Sequence, residues 1–186
     1  MKVILLVGGY GTRLNPLTDK IPKAMLDLDG IPVINHTLDW LDDPDMGISQ
    51  IDIPVGFGDH LLPLKIHVDA NYSHLPIRWV DEGEPTGRTD AIIKCLDDVE
   101  KLSLSKPVLI IYGDMIMVGH NLDKFAESIK DMAVPIFSVD MTDTPEKYGV
   151  VEVDSDMWIK SIEEKPKSLS PTGICQVISI YPLTTN

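Results

Sequence analysis

The sequence predicts an α/β protein in three layers, with helices on both faces of a mainly parallel central sheet. Three observations carry that expectation. The runs 2–7 (KVILLV) and 108–112 (VLIIY) are apolar almost throughout, the pattern of strands buried on both faces of a parallel sheet. Strand-like and helix-like segments alternate over the first 140 residues, as βαβ units require. Both apolar runs end in glycine, at Gly8-Gly9 and Gly113, where open α/β sheets form their ligand crevice.

The elements follow in order. Lys2 to Val7 reads as a buried strand, and 33–41 (VINHTLDWL) spaces its apolar side chains as a helix does. A second strand is expected at 51–55 (IDIPV), with Pro54 marking its end because proline cannot donate to a ladder. A weak helix or turn is expected around 58–66, and a strand at 76–80 (PIRWV). Ala91 to Leu102 has helical periodicity, and Lys106-Pro107 closes it. After the strand 108–112 come an amphipathic helix at 121–131 and a strand at 135–139. Beyond Tyr148 the pattern changes to strands alone, at 150–153, 158–162 and 175–181. With no internal repeat, low-complexity tract or linker, residues 1–186 read as one domain.

At 186 residues such a domain is large enough to bury roughly 70% of its unfolded surface. The early apolar run is too short to span a membrane and lacks a signal-peptide cleavage pattern, so the cytoplasm is the expected location. A net charge of −13 argues against nonspecific nucleic-acid binding, which needs a broad cationic surface. An anionic small molecule remains compatible where cations cluster. Cys95 and Cys175 have no metal-ligand spacing and read as free thiols rather than a disulfide. The five histidines likewise show no metal spacing.

Against 29 acids and 16 bases overall, the stretch 8–23 holds three bases and one acid, Asp19. Within it Gly8-Gly9-Tyr10-Gly11-Thr12-Arg13 follows a buried strand directly. Glycines there let backbone N–H groups approach a phosphate. The loop lacks the third glycine of a dinucleotide fingerprint, since Leu14 stands there, and has no Gly-Lys-Ser/Thr of a Walker loop. Glycines in that place also occur as plain turns, and Asp114 after its strand also suits a turn cap. Glu164-Lys165 alone would read as a solvated ion pair. Arg13 and Lys23 beside the glycines tip the reading toward polyphosphate.

Gly8 to Thr18 with Pro22-Lys23-Ala24-Met25-Leu26 closely resembles the signature of the sugar-1-phosphate nucleotidylyltransferases. The resemblance continues in Glu84-Pro85-Thr86-Gly87, Gly113-Asp114, Tyr148-Gly149-Val150-Val151, Glu164-Lys165-Pro166 and Thr172-Gly173-Ile174. Gly119-His120-Asn121-Leu122 is similar to the glucose-1-phosphate thymidylyltransferase branch. The resemblance implies a Rossmann-like α/β/α fold, with a C-terminal part shortened relative to the family, so that the domain over 1–186 is expected to be incomplete at that end. It implies transfer of a nucleotidyl group from a nucleoside triphosphate to a sugar 1-phosphate, giving an NDP-sugar and pyrophosphate. Those two substrates are the expected partners, with no nucleic acid or membrane partner, and a homo-oligomer is left open.

Carried over residue by residue, the resemblance assigns the catalytic roles to Arg13, Lys23 and Asp114. Arg13 would hold the leaving phosphates, Lys23 would sit near the α-phosphate, and Asp114 would hold Mg²⁺, a hard cation suited to carboxylate and phosphate oxygens. Leu6, Gly8, Gly9, Gly11, Thr12, Arg13, Lys23, Glu82, Glu84 and Gly87 are assigned to the nucleotide. Gly149, Glu164, Lys165 and Thr172 are assigned to the sugar phosphate. The nucleophile is a phosphate oxygen already ionised at neutral pH, so no general base is needed and alignment with charge neutralisation does the chemistry.

The chain departs from the family pattern at Tyr10, at Arg88 and Asp90, and in offering no second metal-ligating acid between Thr172 and Asn186. Asp114 would then hold the metal with phosphates and water, or a further segment or subunit would complete it. Alternatively, the protein would be a non-catalytic nucleotide or sugar-nucleotide sensor. A phosphocholine cytidylyltransferase shares the N-terminal loop, but Glu164-Lys165-Pro166 favours a sugar phosphate. Glu82 and Glu84 are each able to accept from base N–H groups, which fits guanine as easily as uracil or thymine.

Overall fold

The apolar run at the start of the chain becomes β1 (Lys2–Leu6), in which Val3 to Leu6 are buried. In a computed structural model the described residues are 1–9, 11–56, 59–83, 87–96, 108–114, 116, 136–140, 144–167 and 174–181. The sequence-predicted helix at 121–131 and the stretch 97–107 lie outside them. The chain forms two compact units, one of residues 1–135 with 180–186 and one of residues 136–179.

In the first unit, β1 is followed by a short hairpin of β2 (Asp27–Leu28) and β3 (Ile31–Pro32). Then come α1 (Val33–Leu41), β4 (Gln50–Val55), α2 (Leu62–Asn71), β5 (Ile77–Asp81), α3 (Arg88–Cys95) and β6 (Val108–Tyr112). β5, β4, β1 and β6 lie side by side and all pair in parallel, as the doubly apolar strands predicted. The register aligns Lys2, Ile4 and Leu6 with Val108, Ile110 and Tyr112. Because side chains alternate across a sheet, these residues share one face. There Ile4, Leu6, Val80, Val108 and Ile110 form a core with Ala91 and Cys95 of α3.

The other face carries Val3, Leu5, Leu109 and Ile111, all buried. The position where a Gly113 side chain would begin lies 2.9 Å from Ile34 of α1 and 3.5 Å from Leu5, which places α1 on this face. α1 buries Ile34, Leu38 and Leu41, one stripe at helical spacing. α2 joins it through His67 Nε2 to Asn35 Oδ1 at 2.7 Å and Tyr72 OH to Asp39 Oδ1 at 2.7 Å. Helices therefore cover both faces, and the three layers are present.

Two local outcomes differ from the sequence expectation, whereas Pro54 falls next to the end of β4, as expected. Ile51 N–H bonds to Pro76 O, so odd positions of β4 turn their backbone toward β5 and Pro54 faces β1, where pairing stops at Asp52. Its missing N–H therefore costs no ladder bond. α2 runs to Asn71, anchored by Leu64 and Val68 one turn apart. The β2–β3 hairpin was not foreseen, although its Asp29-Gly30 turn, with φ of 55° and 85°, is a strong hairpin signal.

At the amino end of the strands, Asp52 is fully buried. Its Oδ1 accepts from Gln50 Nε2 (2.7 Å) and Arg78 Nε (2.8 Å), and its Oδ2 from Arg78 Nη2 (2.8 Å) and Lys2 Nζ (2.7 Å). Burial pushes this carboxyl up, but the bonds from Arg78, Lys2 and Gln50 outweigh it and hold Asp52 below the ordinary carboxylate value. Lys2 and Arg78 also donate to Cys95 O, in the last turn of α3, where helices run out of intrahelical donors for their carbonyls.

The second unit is built from strands, as the change of pattern after Tyr148 predicted. β7 (Ile136–Asp140) pairs with β10 (Ile174–Tyr181), while β8 (Gly149–Val153) runs antiparallel to both β9 (Ile159–Glu164) and β10. Among the described residues no helix is long and apolar enough to cross a membrane.

Candidate active site

Where β1 ends, the chain crosses the carboxyl edge of the sheet as a glycine loop. Gly11 takes φ 59°, and a side chain there would begin 2.9 Å from Thr18 Cγ2, so both backbone and space require glycine. The buried Thr18 donates its hydroxyl to Gly11 O (2.9 Å) and lies 2.8 Å from Asn15 Oδ1. Leu14 N–H bonds to Gly11 O at 2.8 Å, starting a 3-10 turn over Thr12–Leu14. A second 3-10 turn, Lys23–Met25, follows Pro22 and buries Ala24, which fixes Lys23 on the lip of the crevice.

β6 reaches the same edge. Gly113 N–H bonds to Leu6 O at 2.9 Å, extending the β1–β6 ladder by one residue and turning Asp114 toward the loop. A pocket opens here, lined by Leu6, Val7, Gly8, Gly9, Gly11, Lys23, Ala24, Tyr112 and Asp114, with about 350 Å³ of open space including its mouth. Within it Lys23 Nζ meets Asp114 Oδ2 at 2.6 Å, across 91 positions of sequence. Their side chains remain 45% and 32% exposed.

The structure thus brings together Leu6, Gly8, Gly9, Gly11, Lys23 and Asp114 of the sequence-predicted residues. Thr12 and Arg13 sit exposed on the turn leaving Gly11, and Arg13 is not among the pocket's lining residues. Glu82 follows β5 and directs Oε1 to 3.6 Å from where a Gly8 side chain would begin. Gly87 precedes the first turn of α3 with φ 132°. Tyr10, Glu84 and Thr172 lie outside the described residues.

Gly149, Glu164 and Lys165 belong to the second unit, where they are neighbours. Gly149 pairs with Glu164 across β8–β9, and Lys165 N–H bonds to Tyr148 O at 2.8 Å. Lys165 Nζ stands 3.8 Å from Glu164 Oε1, with the side chains 55% and 73% exposed. Two contributors escaped the sequence reading. Thr18 closes the signature stretch yet carried no assigned role. Tyr112, the last residue of an apolar strand, lines the pocket while its hydroxyl accepts from Arg88 Nη1 at 2.9 Å. Its position just before Gly113-Asp114 was the available signal.

The model of the nucleotidyl transferase family matches residues 2–183. The chain belongs to that family. It is 29% identical over 169 residues to the UTP–glucose-1-phosphate uridylyltransferase AglF of Haloferax volcanii, covering 90% of this chain and 66% of that one. It is 30% identical over 186 residues to the mannose-1-phosphate guanylyltransferase catalytic subunit beta of Drosophila pseudoobscura pseudoobscura, covering 97% and 47%. A Bacillus anthracis protein described as a glucose-1-phosphate thymidylyltransferase, crystallised with sucrose, superposes with a TM-score of 0.80 at 25% identity, covering 97% of this chain and 70% of that chain. The chain spans less than two thirds of the length of these curated relatives.

A divalent cation suits the chemistry of the pocket: Asp114 offers a half-exposed hard oxygen, and such ions take one or two carboxylates plus substrate phosphates. Among the described residues no group of three metal-ligating side chains gathers, so Asp114 is the protein ligand on offer there.

Proposed function

We propose that this nucleotidyl transferase moves a nucleotidyl group from a nucleoside triphosphate onto a sugar 1-phosphate and releases pyrophosphate. The observation that carries the proposal is the Lys23–Asp114 pair set into the glycine-lined pocket. A pocket floored by glycine backbone and edged by one ammonium and one carboxylate fits a polyphosphate with a metal ion. The relatives are named for uridylyl, guanylyl and thymidylyl transfer, which supports the reaction type and leaves the base open.

The chain's own groups do the following. The Gly8, Gly9 and Gly11 backbone admits the phosphates closely. Lys23, released from Asp114 by competition with phosphate, neutralises charge at the α-phosphate. Arg13, exposed on the adjoining turn, takes the departing pyrophosphate with its planar fork. Asp114 holds Mg²⁺, which when bound draws charge from the phosphate oxygens. Glu164 accepts from a sugar hydroxyl and Lys165 binds the sugar phosphate; their loose pairing leaves both side chains open to a ligand. Bond making and breaking at the α-phosphorus needs no base, because the attacking oxygen is already an anion.

Pyrophosphate release across a panel of triphosphates and sugar 1-phosphates tests this reading. At least one pairing should turn over. Lys23→Ala should lower turnover roughly 100-fold or more, the scale of losing one preorganised charge contact. Lys165→Ala should raise KM for the sugar phosphate while leaving triphosphate affinity nearly unchanged. Absence of pyrophosphate with every pairing, despite tight triphosphate binding, would replace the transferase with a nucleotide sensor.

A further inference from the structure

Resting on the nucleotidyl-transfer reading, we infer that the base held in this site is guanine, and that Glu82 selects it. The backbone of Glu82 is fixed on three sides. Its N–H bonds to Val55 O at 3.0 Å, its carbonyl accepts from Lys94 Nζ, and the next residue, Gly83, donates its N–H to Asp81 Oδ1 at 2.8 Å. The side chain is left to point at the glycine loop, with Oε1 3.6 Å from the Gly8 Cβ position. Among the described residues no side chain donates to this carboxylate. It is therefore a pair of acceptors carried on a fixed backbone, beside Gly8 of the pocket.

A carboxylate accepts and never donates, so it reads donors. Guanine is the base whose pairing edge presents two adjacent donors, N1–H and N2–H₂, which match two carboxylate oxygens in parallel. Uracil and thymine present one N–H flanked by two carbonyl oxygens, and a carboxylate facing them meets repulsion on either side. Adenine and cytosine offer one amino group beside a ring-nitrogen acceptor, again one attraction against one repulsion. A glutamine here would offer one donor and one acceptor and suit uracil; the glutamate excludes it. Discrimination of this kind is strong because the wrong base leaves the acceptor pair unsatisfied.

The test is equilibrium binding of GTP, ITP, UTP, dTTP, CTP and ATP with Mg²⁺ to the wild-type protein and to Glu82→Gln. Glu82 contributes to the fold through its backbone, so the variant should keep the wild-type melting temperature. GTP should bind tightest, with UTP and dTTP roughly tenfold or more weaker. ITP, which lacks the 2-amino group, should fall clearly below GTP. Glu82→Gln should weaken GTP roughly 10- to 100-fold and leave UTP unchanged or tighter. Equal binding of GTP and UTP by the wild type would overturn the guanine assignment while leaving nucleotidyl transfer intact. So would a variant that weakens all six nucleotides alike, which would move Glu82 to the ribose hydroxyls. Failure of every triphosphate to bind would remove the underlying reading as well.

Discussion

Two lysine–aspartate pairs sit at opposite ends of the same sheet, with nearly the same length and opposite consequences. At the amino ends of the strands, Lys2 meets Asp52 at 2.7 Å with side chains 20% and 0% exposed. At the carboxyl ends, Lys23 meets Asp114 at 2.6 Å with both half-exposed. Asp52 is surrounded by four donors from Gln50, Arg78 and Lys2, so its acceptor capacity is taken up and its charge is tied to the fold. Among the described residues Asp114 accepts from one side chain, Lys23, and it keeps acceptor sites turned to an open pocket. Separation says little about what an ion pair does; satisfaction and water access say most of it.

The sharpest way to break the contrast is to remove each acid in turn. Asp52→Ala should cost about 3–5 kcal/mol of stability, because Lys2 and Arg78 are left facing each other without their counter-charge. Chemical denaturation measures it, and a loss under 1 kcal/mol would show that the network is incidental. The pH dependence carries a sign. Asp52 is held below its unfolded value of about 3.9, so its contribution is fully present above that value and is lost as pH falls through the lower folded value. The stability gap between wild type and Asp52→Asn should therefore stay flat from about pH 8 to 5 and close only below about pH 4. Asp114→Asn should behave in the opposite way. Stability should move by less than about 1 kcal/mol, as for a partly exposed pair, while pyrophosphate release should fall roughly 100-fold or more. A variant that melts early and still turns over would exchange the roles of the two ends.

Legibility in the sequence followed the same divide between local and distant causes. β1 and β6 were readable because each is buried on both faces, and α1 because one apolar stripe spans it. α2 was only half read: Lys65, His67 and Asp69 interrupt its pattern, and Leu64 and Val68 are what anchor it. The glycine loop and Asp114 could be joined in advance because both end parallel strands, whose carboxyl ends share an edge. Asp52 could not be read. In the run 51–55 it is one acid inside an apolar strand, and only the register that sets it beside Arg78 and near Lys2 reveals its partners. Arg88 on Tyr112 is hidden for the same reason, since strand order brings them together and spacing does not.

Gly113 links the site edge to the helix layer and allows a finer test. A side chain there would begin 2.7 Å from Val7 Cγ1 and 2.9 Å from Ile34 Cδ1. Gly113→Ala should cost about 1–3 kcal/mol by overpacking. Because Val7 lines the pocket, triphosphate affinity should fall with it, whereas Asp52→Asn should leave affinity unchanged in the folded fraction. Equal affinity losses in the two variants would mean that the ends of the sheet are mechanically coupled.

The smallest expected effect belongs to a third pair of the same chemistry, Lys65 and Asp69 on α2, at 2.5 Å with side chains 45% and 50% exposed. It is an i, i+4 contact on an outer surface, with Lys65 also 4.8 Å from the Trp79 ring centroid and Asp69 accepting from Trp79 Nε1 at 2.8 Å. The bond from Lys65 is the main reason that the Asp69 carboxyl lies below its ordinary value; burial opposes it, and the bond from Trp79 adds a smaller lowering. Lys65→Ala should therefore let the Asp69 carboxyl, followed by NMR titration, rise back into the ordinary range, because burial outweighs the remaining Trp79 bond. Stability should drop by about 1 kcal/mol, the sum of an exposed helical ion pair and an exposed cation–π contact. If this shortest and most exposed of the three pairs cost as much as Asp52, exposure would cease to be the variable that separates them, and the distance between charges would have to be reinstated in its place.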